Sequence, residues 1–221
     1  CINNKEILEQ VKKNLKNVNS PEDMLYIIYT SGSTGLPKGV KITNKNIANF
    51  ITGVKQKIDF DEKKVIVSVT TICFDIFGLE IWCSLTSGLT VIIANEEEQH
   101  NPVLLNNLCI KNKVNMIQTT PSRYAIMLEE KENIKFLENV TDILVGGEPI
   151  SEKILERLQQ NSKARIFNMY GPTETTIWST IKELTNEKII TIGKPIANTQ
   201  VYVLDKNLQV LPIGITGELY I

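Results

Sequence analysis

Histidine is nearly missing from this chain: 221 residues contain only His100, beside four cysteines and two tryptophans. With one His and no Cys-x-x-Cys pair, a Cys/His zinc site has no ligand set to draw on. Cys1, Cys73, Cys83 and Cys109 are too scattered for a disulfide scaffold. They read as reduced, mostly buried thiols in a cytoplasmic protein, with Cys73 expected in the core. An excess of either charge is also lacking: 24 Lys+Arg face 25 Asp+Glu, a formal net charge of -1. A general nucleic-acid binder would carry a basic face, so no nucleic-acid partner is expected. No apolar run reaches the ~18 residues of a membrane span. No signal-peptide pattern opens the chain, and no membrane partner is expected.

What remains is ordinary globular composition, 42% hydrophobic and 22% charged, in a chain long enough to bury a sizeable core. His100, before Pro102, reads as a surface residue. The chain opens on Cys1 and closes on Gly217-Glu218-Leu219-Tyr220-Ile221, which reads as a strand cut in its middle. The length is therefore expected to be that of a piece.

Elements alternate along the sequence. Ile7, Leu8, Val11 and Leu15 predict a leading helix over 4–16, and Ser20-Pro21 begins a linker. Leu25–Tyr29 is a β-branched and aromatic run, hence a buried strand. A Gly/Ser/Thr-rich loop follows over 30–39. Thr43 is a good N-cap for a helix burying Ile47, Phe50, Ile51 and Val54. Strands are expected at 65–69, 89–94, 115–119, 141–145 and 165–168. Helices are expected at 77–87, 102–112, 122–130 and 151–161, with Glu96–Glu98 as a solvated loop. This rhythm predicts an α/β fold with a mainly parallel sheet flanked by helices, whose ligands sit beyond the strands' carboxyl ends. From residue 200 a hairpin or small β-barrel is expected to begin. The expected organisation is a leading helix and linker at 1–23, an α/β core at 24–199, and the start of the barrel at 200–221.

Four segments carry chemistry. Tyr29-Thr-Ser-Gly-Ser-Thr-Gly-Leu-Pro-Lys38-Gly39 follows a strand with four Ser and Thr hydroxyls, three glycines and one lysine. That density of donors suits a polyphosphate, although the Walker A spacing of a P-loop is absent. Asn168-Met-Tyr-Gly-Pro-Thr-Glu174-Thr175 also follows a strand; Glu174 is a hard oxygen ligand suited to Mg²⁺ and Tyr170 a flat face for a base. Asp75 sits among apolar residues, where a carboxylate needs a cation or else caps the following helix. Gly146-Gly147-Glu148-Pro149 permits either close approach of a ligand or a tight turn.

Together these resemble the adenylation domains of nonribosomal peptide synthetases, within the adenylate-forming (AMP-binding) superfamily. YTSGSTGLPKG matches the phosphate loop, NMYGPTE the NxYGPTE motif, FDIF the FDxS motif and the terminal GELYI the start of GELxIxG. The order and spacing agree from Met24 to Ile221; Phe77 stands where the family usually has Ser. The resemblance implies ATP-dependent activation of an amino acid as aminoacyl-AMP, then transfer to a carrier-protein phosphopantetheine thiol, among neighbouring synthetase modules. By the same resemblance Thr30, Ser31, Gly32, Ser33, Thr34, Gly35 and Lys38 hold the phosphates, and Glu174 helps to hold Mg²⁺. Thr173 reaches the α-phosphate, and Lys38, Thr173 and Glu174 form the catalytic set. Gly147, Glu148, Pro149, Asn168, Tyr170 and Gly171 frame the adenine. The amino-acid pocket falls on Asp75, Ile76, Leu79, Gln118, Leu144, Gly146, Met169, Ile177 and Trp178. Asp75 pairs with the substrate ammonium, and the bulk around Gly146 resembles glycine-selecting pockets, with alanine next.

The family's ribose-binding aspartate, hinge and C-terminal lysine do not occur in the 221 residues. Weak ATP binding and little turnover are therefore expected of the chain alone. An acyl- or aryl-CoA ligase and an inactive nucleotide-binding segment are the competing readings.

Overall fold

The structure is a computed structural model and describes residues 13, 16–31 and 35–221. Cys1, most of the helix expected over 4–16, and Gly32, Ser33 and Thr34 lie outside the described residues. The chain begins with an antiparallel hairpin, β1 (Met24–Thr30) and β2 (Lys38–Thr43). Helix α1 (Asn44–Lys55) follows at once. Its N-cap is Thr43, and Thr43 and Asn46 exchange the two bonds of a capping box. The face carrying Ile47, Phe50 and Val54 is buried as the spacing predicts.

Next come β3 (Val65–Ser68), a helical segment over 77–85 with a π turn at Leu79–Cys83, and β4 (Thr90–Ile93). They are followed by α2 (Glu96–His100), α3 (Pro102–Lys111), β5 (Met116–Thr119) and α4 (Pro121–Met127). Then come β6 (Asp142–Gly146), α5 (Glu152–Asn161), β7 (Arg165–Tyr170), β8 (Thr180–Glu183) and β9 (Lys194–Pro195). One sheet of seven strands holds them in the order β4-β3-β5-β6-β7-β8-β9. The pairings from β4 through β7 are parallel, and β8 and β9 add an antiparallel margin. The expected α/β fold is thus the observed one. A second hairpin, β10 (Tyr202–Leu204) with β11 (Glu218–Tyr220), ends the chain. Among the described residues no helix is long and apolar enough to cross a membrane.

Period-two alternation sends the parallel strands into two cores. Ile117, Ile143, Val145 and Ile166 pack with Leu105, Tyr124 and Leu158 of the helices on one face. Met116, Leu144, Phe167 and Met169 pack with Phe50, Leu79 and Trp178 on the other. Each fully buried Leu, Ile or Phe contributes about 1.5–3 kcal/mol. Both faces being covered is why these strands read as near-continuous apolar runs.

Four local expectations fail. Leu25–Tyr29 is a strand but not a buried one, because β1 pairs only with β2 in a hairpin apart from the seven-stranded sheet, which leaves Ile27 and Tyr29 exposed. Glu96–Glu98 is the first turn of a short helix rather than a loop, because Asn95 caps it and Glu98 bonds back to the Asn95 N–H. Cys73 is exposed, because the chain has left β3 and turns over 71–74 before re-entering the core at Asp75. The helix expected over 122–130 stops at Met127, and a 3-10 stretch, Lys131–Asn139, carries the chain to β6.

One charge cluster ties the amino ends of the strands together. Asp142, fully buried at the start of β6, accepts from Lys64 Nζ at 2.8 Å and from Arg165 Nη2 at 2.7 Å. Removing the acceptor would leave Lys64, only 12% exposed, without its main partner. Asp142→Ala is expected to destabilise the fold by about 3–5 kcal/mol, measured as a lower urea midpoint at unchanged slope.

Candidate active site

The conspicuous side chains gather at the carboxyl ends of β3, β5, β6 and β7. At one side stands the first hairpin, where Thr30 pairs directly with Lys38 across the strands. The loop between them starts at Ser31, and Gly35 in it has φ of 81°, in the left-handed region that favours glycine. The 3-10 turn Thr173–Thr175 packs against β2. The hairpin's Lys38 strand and the Thr173-Glu174 pair, distant in sequence, therefore belong to one neighbourhood. Glu174 is exposed.

A second neighbourhood is a cavity of about 290 Å³ lined by Gly147, Glu148, Pro149, Asn168, Met169, Tyr170, Gly171, Trp178 and Ile192. All six residues assigned to the adenine frame are among them. The Asn168 amide is held by the Thr191 carbonyl at 2.8 Å. The Glu148 carboxylate accepts from the Ser122 N–H at 3.1 Å and from its hydroxyl. Gly147 has φ of 85°, which lets the backbone turn sharply out of β6.

The third neighbourhood is the predicted amino-acid pocket. Asp75, Ile76, Leu79, Gln118, Leu144, Met169, Ile177 and Trp178 are all buried, the least so being Asp75 at 5% exposure. Sheet register brings several of them together: Gln118 pairs with Leu144, and Gly146 pairs with Met169. Trp178 lies over Gly146 so closely that a Cβ there would stand 2.5 Å from the indole Cη2 and 2.6 Å from the Met169 carbonyl oxygen. The Trp178 N–H donates to Gln118 Oε1 at 2.9 Å. Thr176 and Ile177 leading into it hold φ of 73° and 68°. Two successive β-branched residues there cost on the order of 1–3 kcal/mol each, a strain that aims Ile177 and Trp178 inward.

Asp75 is not spent on a helix cap. The first N–H groups of the helical segment, those of Phe77 and Gly78, donate to the Phe74 and Asp75 carbonyls, and the π turn has no side-chain cap bond. One carboxylate oxygen of Asp75, Oδ2, is buried without a partner, as is the Tyr26 hydroxyl. Both residues line a cavity of about 300 Å³ with Phe74, Phe77, Gly78 and Trp82. Burial pushes the Asp75 carboxyl above the ordinary carboxylate range and Glu174 adds to the shift, while the Thr173 hydroxyl and the N–H groups of Asp75 and Ile76 oppose it. Burial likewise pushes the Tyr26 phenol up to about 12, helped by Asp75. A buried carboxylate oxygen with no donor is an open demand for a cation or a hydrogen-bond donor.

Comparison with known proteins fits this arrangement. The family model described as AMP-binding enzyme matches residues 2–221. The chain belongs to the AMP-binding enzyme family. This AMP-binding chain is 43% identical over 199 residues to the dimodular nonribosomal peptide synthase of Bacillus subtilis (strain 168), covering 89% of the chain and 8% of that protein. It is 36% identical over 214 residues to tyrocidine synthase 3 of Brevibacillus parabrevis, covering 95% and 3%. It thus spans less than a tenth of the length of these relatives. Among solved structures it superposes with a TM-score of 0.80 and 32% identity on a four-domain nonribosomal peptide synthetase bound to AMP and glycine, covering 89% of this chain and 14% of that one.

Three residues of the site escape sequence reasoning. Ile192 enters the adenine-side cavity from the β8–β9 connection, and Tyr26 sits in a strand that shows only apolar periodicity. Glu80 looks like a solvated helical charge but is fully buried beneath Gln118. None of the three has a local signal in the sequence. Gly146→Ala is expected to lower stability by about 1–3 kcal/mol through overpacking, and to displace the indole. Thermal melting and Trp emission on the variant check both.

Proposed function

We propose that the chain is the recognition part of an amino-acid-activating enzyme. The amino-acid carboxylate attacks the α-phosphorus of ATP, the bond to the β-phosphate oxygen breaks, and aminoacyl-AMP and pyrophosphate result. The aminoacyl group then passes to the phosphopantetheine thiol of a carrier domain, with release of AMP. Glycine is the favoured substrate and alanine the next. The observation that carries this reading is the buried, donor-less oxygen of Asp75, joined by the close lie of Trp178 over Gly146. The first suits an ammonium group and the second leaves little room for a side chain.

The first step brings two anions together, so positioning and positive potential must offset their repulsion. In this reading Thr30, Ser31, Gly32, Ser33, Thr34, Gly35 and Lys38 hold the β- and γ-phosphates. Thr173 orients the α-phosphate, and Gly147, Glu148, Pro149, Asn168, Tyr170 and Gly171 hold the base. Among the described residues no cluster of three or more His, Cys, Asp or Glu side chains could hold a metal. One exposed carboxylate, Glu174, nevertheless fits Mg²⁺ of the kind that arrives on a nucleotide, since that ion takes one or two carboxylates and fills its shell with phosphate oxygens and water. When bound, the ion would lower the charge that the carboxylate meets.

The test is ATP–pyrophosphate exchange by the protein that carries this chain within a complete adenylation domain. Glycine is expected to support the fastest exchange. Alanine should follow within about 10–200-fold, since excluding one methylene by fit is worth only ~1–3 kcal/mol. Phenylalanine should give none. Equal turnover of phenylalanine would refute the small pocket, and preference for a fatty or aryl acid would favour a CoA ligase. Asp75→Ala should lower exchange by about a thousandfold, because a charge pair at ~4 Å is worth ~4 kcal/mol at an effective dielectric of 20.

The pH dependence has a definite sign. Asp75 must be ionised to pair with ammonium, and burial raises its pKa in the free protein. As pH falls through that raised value the amino-acid KM should climb, beginning at a higher pH than an ordinary carboxylate would give. A KM profile that stays flat until the ordinary carboxylate range would contradict this role.

A further inference from the structure

The geometry points to Glu80 as a positioning residue that sets the depth of the amino-acid pocket without touching substrate. The inference rests on the small-substrate reading above and concerns how that pocket is held. Gln118 carries an amide whose two ends have opposite chemistry. Its Nε2 donates to the Ile76 carbonyl at 2.8 Å and to Glu80 Oε1 at 3.2 Å, while its Oε1 accepts from the Trp178 N–H at 2.9 Å. Turned over, the amide would set its oxygen against two acceptors and its N–H₂ against the indole N–H. Two acceptors at one end, the Ile76 carbonyl and Glu80 Oε1, and one donor at the other, the Trp178 N–H, make the observed orientation the satisfied one.

Glu80 is itself fixed. It accepts from the Ser68 hydroxyl at 2.6 Å, from the Thr70 hydroxyl, and from the Thr70 N–H at 3.3 Å. With Gln118 that makes four donors on one carboxylate with no exposed surface. They oppose the burial that pushes its pKa upward. A space of this kind could be filled by an apolar side chain without desolvating a charge. What an apolar residue could not do is choose the Gln118 orientation. A continuous set of bonds therefore runs from the end of β3 through Glu80 and Gln118 to Trp178, whose ring lies over Gly146.

Glu80→Gln keeps the volume but places an N–H₂ among donors. The Ser68 and Thr70 hydroxyls can turn to accept from that N–H₂, but the hold on Gln118 weakens, and a turned Gln118 then repels the indole N–H and frees Trp178. In the complete domain, the ratio of alanine to glycine kcat/KM in pyrophosphate exchange is expected to rise about tenfold. The Trp178 indole N–H resonance should shift and lose exchange protection. Trp178→Phe should raise the same ratio, and adding Glu80→Gln to it should change the ratio less than about twofold, because the two act through one bond path. Ser68→Ala and Thr70→Val, which loosen the carboxylate but keep it, should give intermediate ratios even if Glu80→Gln does not fold. Loss of exchange by the same factor for both substrates, with the indole resonance unmoved, would overturn the proposal and leave Glu80 a core residue. A wild-type protein that activates neither glycine nor alanine would instead sink the small-substrate reading, and the indole resonance would still judge Glu80.

Discussion

The in-register parallel pairing of β5, β6 and β7 is the constraint on which the rest of the site depends. Gln118, Leu144 and Phe167 stand in one row across the strands, and Gly146 stands beside Met169. Because side chains alternate, those residues share one face, the face covered by α1 and Trp178. Their neighbours Ile117, Ile143, Val145 and Ile166 go to the opposite core. A slip of one residue in any pair would exchange the two sets. The proposed recognition positions and the scaffold positions are thus interleaved along the same few strands. The apolar core opposite them is what keeps the register, and so what keeps Gln118 pointing at Trp178.

The site is assembled from pieces that each leave something unsatisfied locally. Thr176 and Ile177 hold left-handed backbone that their branched side chains disfavour. Asp75 keeps a buried oxygen without a donor, and Tyr26 keeps a hydroxyl in the same state. Elsewhere the molecule satisfies its buried charges closely, as at Asp142 with Lys64 and Arg165. Thr176, Ile177 and the open oxygen of Asp75 lie at the carboxyl edge, where parallel sheets place their ligands, together with the fully bonded Glu80, while the Asp142 cluster lies at the amino edge.

This division also explains what can be read from the sequence. The five parallel strands announce themselves as β-branched runs, and Thr43 announces α1, because both signals are local. β8 and β9 do not: Thr180–Glu183 is short and polar at its end, and Lys194–Pro195 is two residues held by pairing alone. The motif residues are legible as groups, and their convergence is not. Nothing near Lys38 indicates that Thr173 packs beside its strand. Glu80 marks the limit most clearly, since its four donors come from residues 68, 70 and 118 and its helix looks like any amphipathic segment.

On the proposed glycine-selecting reading, size alone cannot reject alanine with much force, because a methylene is worth little in any single contact. On that proposal, discrimination comes from how firmly Trp178 is held over Gly146. Packing supplies part of that stiffness, yet a packed indole can still rock by the few tenths of an ångström that a methyl group requires. A hydrogen bond from its one polar atom, to an amide locked by a carboxylate, removes that freedom more effectively than further packing would. On that proposal the buried polar groups here serve specificity rather than stability. The cost is a carboxyl group held out of water at Glu80, and it is offset by four hydrogen bonds.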